Sequence, residues 1–295
     1  MMSRRDPKPD PQVVALCRKH DFVGDPRDLI RRLCSDLLAE ADPGVPTDLD
    51  VLASFQNVLR IEERFLDHDA NLRWDGSHYL IEVHFGSSPG RQRFSICHEL
   101  AHTLFPGATE RDFLAEYNIG RSAAGPTEEH LCDIGAAELL MPTDAFSQAL
   151  SAVPNMTDVC DLADAFQASV EAAARRALHL SGLSGAVVVL EPKLKPTEAR
   201  AIAQARLQPQ FPGMRDQTPA PKLRVRYADC TSGLFIPAHK SVSDDCPLAQ
   251  SLELQSVDYT GTTGLLDGEF RVSARLLPYR RETTTVDRVI ALLLR

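Results

Sequence analysis

Two histidines four residues apart, with a glutamate beside the first, carry the clearest chemical signal in the sequence. They are His98, Glu99 and His102 of the run HELAH. On a helix, residues i and i+4 share a face, so both imidazoles can reach one metal ion. Zinc suits two neutral imidazoles and a carboxylate, and it lowers the pKa of a water toward neutrality. The motif therefore predicts a zinc site with His98 and His102 as ligands and Glu99 as general base.

The residues around this motif argue against a solvated helix face. Apolar side chains surround it and leave little polar surface: Ile96, Cys97, Leu100, Ala101 and Leu104. An amphipathic surface helix would instead carry a broad polar stripe. Buried histidines and a buried glutamate need partners, and a metal ion supplies them.

A second helix, predicted over 126–140, offers the third ligand. Glu129 and Asp133 are four residues apart and share a face. We expect Glu129 to bind the metal and Asp133 to hold a ligand imidazole by its second nitrogen. Two alternatives for the third ligand stay open. Glu128 lies about 100° around the helix from Glu129 and is predicted to be exposed, and Glu138 lies in an apolar run, where it could be a paired core carboxylate.

Other polar side chains near the motif are candidates for stabilising an oxyanion or for lining a substrate cleft. His130 has the character of a surface histidine, although with Tyr117 and Arg121 it is a candidate for stabilising an oxyanion. His78 and His84 share one face of a predicted strand, where they are expected to be exposed. A strand in that place can also line a substrate cleft and pair with a bound peptide backbone.

The elements that position these residues follow from periodicity and turn signals. Apolar spacing predicts helices, whereas alternation bounded by turn residues predicts strands. In residues 1–185 the predicted helices cover 13–20, 26–41, a short piece from 47, 90–105, 126–140 and two or three segments within 143–180. The predicted strands there cover 57–65, 71–74 and 78–85.

The remainder of the chain changes character after residue 185. Strands are predicted at 186–190, 222–227, 234–237, 270–277 and 286–294, with a helix at 196–207. Residues 186–295 hold 15 basic and 12 acidic side chains, whereas residues 1–185 hold 17 basic and 29 acidic ones. We therefore predict two α+β domains, 1–185 with the metal site and 186–295, with different partners.

Composition bounds the class of protein. The 295 residues are 43% hydrophobic and 25% charged, with a net charge of −9. No apolar run is long enough to span a membrane, and the N-terminus lacks the apolar core of a secretory signal, so we expect a cytoplasmic protein with no membrane partner. Seven scattered cysteines without a CxxC pair argue against a disulfide framework and a structural zinc knuckle. Cys230 and Cys246 lie in polar contexts, and one hypothesis places a free thiolate at the open zinc position.

These motifs together resemble the ImmA/IrrE family of bacterial metallopeptidases. The resemblance is carried by residues 93–102 (RFSICHELAH) and by residues 129–142, which contain Cys132-Asp133 and AAELLMP. It covers roughly residues 45–180. It implies a gluzincin-like domain with a three-stranded antiparallel sheet beside the two metal-binding helices. It also supports His98, His102 and Glu129 as zinc ligands and Glu99 as base.

The resemblance further implies a substrate and a regulator. Members of the family cut helix-turn-helix transcriptional repressors and thereby induce stress or mobile-element genes. This chain departs from many members because it has no evident N-terminal helix-turn-helix domain. Its C-terminal region instead resembles a small GAF- or PAS-type sensor, a layout similar to the CapP-like branch of antiphage-defence operons. In such relatives the trigger is DNA damage, for which single-stranded DNA is the expected activator.

Two hypotheses about function follow from the sequence. In the first, the chain is a zinc endopeptidase whose C-terminal domain binds single-stranded DNA through basic and aromatic side chains: Arg224, Arg226, Arg271, Arg275, Arg280, Arg281, Tyr227 and Tyr279. The same arginines could simply form the solvated face of a sheet. In the second, the metal site is catalytically silent and the chain is a ligand-sensing regulator that binds its partner without cleavage. Intact Glu99 favours the first reading.

Overall fold

The chain is organised as two compact units in a computed structural model that describes residues 9–108, 126–206, 220–281 and 284–295. The first unit comprises Met1–Ala149 and Asp161–Ala173, and the second comprises Leu150–Cys160 and Ala174–Arg295. Both units contain helices and strands, which confirms the predicted α+β class. The predicted domain boundary between residues 185 and 186 stays a prediction.

Three helices open the first unit, and each begins at an aspartate. Asp10, Asp25 and Asp48 accept hydrogen bonds from backbone N–H groups of the turn that follows. These caps satisfy N–H groups that have no acceptor inside the helix, and proline suits the first helical position. The helices are α1 (Pro11–Lys19), α2 (Pro26–Ala41) and α3 (Leu49–Phe55), close to their predicted ranges.

A three-stranded sheet follows, and its pairing differs from the antiparallel sheet that the family resemblance implies. The strands are β1 (Val58–Arg64), β2 (Ala70–Trp74) and β3 (Tyr79–His84), in the order β1-β3-β2. β2 and β3 form an antiparallel hairpin, but β1 pairs with β3 in parallel. The sheet is therefore mixed: the central strand β3 runs parallel to β1 and antiparallel to β2.

The two predicted metal-binding helices pack against each other. They are α4 (Pro89–His102) and α5 (Glu128–Leu140). Gly135 lies at their point of close approach: a Cβ there would be 2.9 Å from Cβ of Ala101 and 3.2 Å from Sγ of Cys34. A glycine removes the side chain that would hold the helices apart, so α5 can bring its first turn to the histidines of α4.

Three short helices follow α5, as the pattern over 143–180 predicted. They are α6 (Thr143–Ala149), α7 (Met156–Ala165) and α8 (Val170–Leu180). In the first unit, Phe146 and Phe166 are buried and their ring centroids are 5.2 Å apart. This aromatic pair contributes to the core of the first unit.

The second unit is built on one antiparallel sheet of five strands. In chain order its elements are β4 (Gly185–Lys193), α9 (Pro196–Arg206), β5 (Lys222–Cys230), α10 (Pro247–Leu254), β6 (Ser256–Gly261), β7 (Phe270–Leu276), β8 (Tyr279–Arg281), β9 (Thr284–Val286) and β10 (Val289–Leu294). The sheet order is β5-β4-β10-β7-β6, and β8 pairs with β9 separately. The predicted strand at 234–237 is wrong, because Ile236 is buried in the core without pairing in the sheet.

Both faces of this sheet are covered within the second unit. β10 is buried along its whole length, as is β4 up to Leu190, so both strands read as continuous apolar runs. On one face the Met156 backbone N–H donates to Oγ of Ser273, at 2.8 Å. From α8, Arg175 and His179 bind the carboxylate of Asp229 on β5, at 2.8 and 3.0 Å.

The contact at Gly135 gives a prediction for the first unit. We expect Gly135→Ala to lower the free energy of unfolding by about 1–2 kcal/mol, because overpacking outweighs the roughly 1 kcal/mol that alanine gains in a helix. Denaturant unfolding measures the change. Adding Ala101→Gly, which removes the nearest methyl group, should recover part of the loss. A variant that is more stable than the parent would contradict the close packing of α4 and α5.

The Asp229 contacts give a prediction for the second unit. The hydrogen bond from His179 and the Arg175 guanidinium lower the pKa of Asp229 to about 2. Since an unfolded aspartate titrates near pH 4, the stabilisation is complete above that pH and is lost as pH falls from about 4 through 2. We expect Asp229→Asn to cost about 1–2 kcal/mol at pH 7 and progressively less below pH 4. Asp244→Asn, at an exposed carboxylate, is the control. If Asp229→Asn lost as much stability below pH 4 as at pH 7, the low pKa assigned to Asp229 would be refuted.

Candidate metal centre

The two histidines of the HELAH run lie together at the C-terminal end of α4. Their ring centroids are 5.0 Å apart, as i and i+4 positions of one helix allow. His102 is buried, and the side chain of His98 is mostly buried. The ring Nε2 atoms of both residues face the first turn of α5. The arrangement predicted from spacing alone is therefore present in the structure.

Glu129 faces both rings from α5. One carboxylate oxygen lies 3.3 Å from Nε2 of His98, and the other lies 3.6 Å from Nε2 of His102. The hydrogen bond with His98 lowers the pKa of Glu129, although partial burial opposes the shift. Burial disfavours protonation of His98, but hydrogen bonds to Asp133 and Glu129 outweigh it and raise the pKa of His98 to about 10. The three groups form one hydrogen-bonded cluster of charges.

The other ring nitrogens are held by two further carboxylates of α5. Nδ1 of His98 lies 3.1 Å from Asp133, as the shared face of Glu129 and Asp133 predicts. Nδ1 of His102 lies 3.0 Å from Glu128. The sequence interpretation of Glu128 as an exposed residue is wrong, because its side chain is only 9% accessible. Each imidazole thus has a carboxylate behind it, which fixes the ring with its Nε2 toward Glu129.

These distances fit a zinc ion. Nitrogen and oxygen ligands about 2.0–2.1 Å from a tetrahedral zinc lie roughly 3.3–3.4 Å from each other. The separations of 3.3 and 3.6 Å between the Glu129 oxygens and the two Nε2 atoms lie close to that value. Two imidazoles and one carboxylate also leave a fourth position free, as a catalytic zinc requires. The donor set is therefore suited to zinc.

A cysteine provides a different set of three donors. Ligand atoms of His98, His102 and Cys132 lie within 4.8 Å of one another. Burial, together with the nearby carboxylates of Glu128 and Glu129, raises the pKa of the Cys132 thiol well above its usual range. A thiol must lose its proton to bind zinc, whereas the Glu129 carboxylate is already charged and lies between the two Nε2 atoms. Charge and position therefore favour the carboxylate of Glu129 over the thiol of Cys132 as the third ligand.

Glu138, the other alternative, is engaged elsewhere. Its carboxylate accepts hydrogen bonds from the backbone N–H and the hydroxyl of Thr143, both at 2.8 Å. Thr143 is the first residue of α6. Glu138 is therefore the paired core carboxylate that the apolar run suggested, and it joins α5 to the start of α6.

Glu99 lies beside the histidines in a cleft of about 390 Å³. Burial raises the pKa of Glu99, and the nearby His102 and His98 oppose that shift. The walls of the cleft come from the start of β2, from α4 and from α5: Asp69, Ala70, Arg91, Phe94, Ser95, His98, Glu99, Glu129 and Asp133. A buried carboxylate with a raised pKa is suited to receiving a proton near neutral pH.

The strand next to the cleft is β2, not the strand at 78–85 that the sequence pattern suggested. Ala70 at the start of β2 lines the cleft, and β2 is an edge strand of the sheet. β3 is the central strand, where Nδ1 of His84 accepts a hydrogen bond from the backbone N–H of Leu66. His78 precedes β3 in the hairpin turn. Neither histidine lines the cleft.

Of the residues considered for an oxyanion, His130 is on the surface, where it accepts a 3.5 Å hydrogen bond from Arg27. Tyr117 and Arg121 lie outside the described residues. The sequence analysis missed His68, which precedes the cleft residue Asp69. Its Nδ1 contacts Asp67 at 2.6 Å, and among the described residues its buried Nε2 has no hydrogen-bond partner. After burial, His102, His98 and Glu129, His68 is a further influence on the pKa of Glu99, which it lowers.

The two cysteines considered as zinc caps lie within the second unit. The Cys246 sulfur is buried there and lies 3.4 Å from the hydroxyl of Tyr259. Cys230 is partly buried against the same core. To bind a metal, Cys246 would first have to leave that core, so its burial argues against the hypothesis.

The proposed basic set in the second unit is partly neutralised. Arg224 is buried and paired with Glu198, and Arg226 binds Glu191 while its guanidinium lies over the ring of Tyr279. Arg271 and Arg275 of β7 are exposed. The side chains of Arg280 and Arg281 lie outside the described part of the structure, and Tyr227 is partly buried. The described arginines thus divide into a paired group on β5 and an exposed pair on β7.

Comparison with known proteins bears on the first unit. Residues 56–178 match the peptidase family described as IrrE N-terminal-like domain. The chain is 29% identical over 185 residues to the radiation response metalloprotease IrrE of Deinococcus deserti. That alignment covers 61% of this chain and 59% of the relative, so the chain spans about three fifths of the relative's length.

A solved structure resembles the chain in fold. It is a Mycobacterium tuberculosis transcriptional regulator, with a TM-score of 0.50 and 13% sequence identity. The match covers 96% of this chain and 79% of the regulator. At that identity the likeness concerns the fold alone. Within the described residues, no helix has the length and apolar character needed to cross a membrane.

The third ligand can be tested by comparing two glutamates of the same helix. We expect Glu129→Gln to weaken zinc binding by at least tenfold, measured by competition with a chelator, because a neutral amide is a poor zinc ligand. Glu138→Gln should leave zinc affinity within about twofold and lower stability instead, since it weakens the contact with Thr143. If Glu138→Gln released zinc and Glu129→Gln did not, the assignment of Glu129 would be wrong.

Proposed function

We propose, from the membership of residues 56–178 in the ImmA/IrrE family of metallopeptidases, that the chain is a zinc-dependent endopeptidase. One observation carries the proposal. The Glu129 carboxylate faces Nε2 of both His98 and His102, and Glu99 lies in the same cleft with a raised pKa. Ligands with an open position and an adjacent base are what metal-assisted amide hydrolysis requires.

In the proposed mechanism His98, His102 and Glu129 hold the zinc, and Asp133 and Glu128 keep the two rings in place. When bound, zinc supplies a Lewis acid that polarises the scissile carbonyl and makes a water more acidic. Glu99 takes the proton of the attacking water and returns it to the leaving nitrogen of the amide. His68, whose buried Nε2 has no hydrogen-bond partner among the described residues, is our candidate for stabilising developing negative charge.

The substrate we propose is a helix-turn-helix transcriptional repressor, whose cleavage induces stress or antiphage-defence genes. The edge strand β2 supports an extended peptide as the bound form, because its outer edge, unpaired among the described strands, can pair with a peptide backbone while Ala70 borders the cleft. The family of the first unit supports the class of substrate.

We further propose that residues 186–295, which lie in the second unit, form a GAF/PAS-like sensor for single-stranded DNA. Its size and its five-stranded antiparallel sheet with α9 and α10 support a small α+β sensor. The exposed Arg271 and Arg275 on β7 support contact with phosphates. Binding of DNA through these arginines should weaken as salt is raised.

The experiment mixes the zinc-loaded chain with the repressor encoded nearest to its gene, with and without single-stranded DNA, and identifies products by intact mass. We expect one discrete cut by the parent protein. Glu99→Gln should retain zinc and cut at least 100-fold more slowly, since it lacks the base. His68→Leu should also keep zinc and cut more slowly, by a smaller factor.

The possible outcomes separate the parts of the proposal. Cutting by Glu99→Gln at the parent rate would refute the role of the base. Cutting that does not depend on DNA would remove the sensor hypothesis but keep the peptidase. If a zinc-loaded parent binds the repressor without cutting it, the chain is instead a catalytically silent, ligand-sensing regulator.

A further inference from the structure

A carboxylate far from the metal centre in sequence contacts α5, the helix that supplies the carboxylates around both histidines. Asp10 caps α1, where its Oδ1 accepts a hydrogen bond from the backbone N–H of Gln12 at 2.9 Å. Its Oδ2 accepts a second hydrogen bond, at 3.2 Å, from the backbone N–H of Glu128. One side chain therefore joins the first turns of two helices, α1 and α5.

The first turn of α5 carries both glutamates that contact His102. Glu128 and Glu129 both lie in it, and between them they contact His102 at Nδ1 and Nε2. The first N–H groups of a helix have no acceptor within the helix, and helix ends fray. The Thr127 hydroxyl accepts from the N–H of His130, at 3.3 Å. Asp10 supplies the acceptor for the N–H of Glu128.

A continuous series of contacts runs from α1 to the candidate metal ligands. Asp10 binds the backbone of Glu128, the carboxylate of Glu128 binds Nδ1 of His102 at 3.0 Å, and Nε2 of His102 faces Glu129. His102 and Glu128 are buried, with side chains 4% and 9% accessible, so neither has free space in which to reorient. Fixing the backbone of Glu128 therefore also fixes the ring of His102.

We propose that Asp10 is a positioning residue of the metal centre, which acts by holding Glu128 against His102. The proposal rests on the zinc site proposed above. It extends that site beyond residues 56–178, the part that matches the peptidase family, to the N-terminal helix α1. A ring held by a carboxylate binds zinc more tightly because its tautomer and orientation are set in advance.

The test uses a substitution that keeps the cap of α1 and loses the contact with α5. Serine is as good an N-cap as aspartate, but its one short hydroxyl cannot reach both N–H groups. Asp48→Ser makes the same change at the N-cap of α3, where the described donors to the carboxylate are the backbone N–H groups of Asp50 and Val51, both within the helix. This variant is the matched control. Zinc affinity of the full chain is measured by chelator competition, and stability by thermal unfolding of the metal-free protein.

We expect Asp10→Ser to weaken zinc binding by on the order of 3- to 10-fold, whereas Asp48→Ser stays within about twofold of the parent. Glu128→Gln should weaken zinc binding by roughly 10-fold or more. In the double variant Asp10→Ser with Glu128→Gln, the loss should be no greater than that of Glu128→Gln alone, because Asp10 acts through Glu128.

Three results would overturn the proposal. Equal zinc affinities of Asp10→Ser and Asp48→Ser would show that Asp10 only caps α1. Additive losses in the double variant would show that Asp10 does not act through Glu128. A parent chain that binds no zinc at all would reject the metal centre itself, and with it both the proposed function and the role of Asp10.

Discussion

Two imidazoles on one helix can share a metal only if both rings are held with the same nitrogen pointing to one place. Here the constraint is met from a single neighbouring helix, since α5 supplies Asp133 behind His98 and Glu128 behind His102. The same helix places Glu129 in front of both rings. The packing of the first unit must keep α4 and α5 at a fixed distance, because a change in that distance would alter all four contacts together.

Gly135 sets that distance, and the sheet and caps set the orientation. The close approach of α5 to Ala101 and Cys34 leaves no space for a further methyl group. Glu138, one turn beyond Gly135, fixes the other end of α5 through Thr143. The helix is thus held at both ends and in its middle, which is how a small unit can hold a preorganised site.

Local patterns predicted most of this arrangement, and non-local contacts account for the rest. The spacing of His98 and His102 and the shared face of Glu129 and Asp133 could be read from helix geometry. Glu128 could not, because its burial depends on α4 lying beside it and on Asp10 arriving from α1. The parallel pairing of β1 with β3 was missed for the same reason. In the second unit, Ile236 alternated like a strand residue although its burial comes from core packing.

On the proposed function, the outer edge of β2, which no other described strand pairs with, has a consequence for what can be cut. A peptide that pairs with the five residues of β2 must be extended over a similar length. A segment folded as a helix in the partner would have to unwind first, at the free energy of its local opening. On the proposed function, susceptibility would then be set as much by how readily a partner loosens a linker or chain end as by the side chains flanking the bond. Such an enzyme would cut its partner fastest at segments that are already locally disordered.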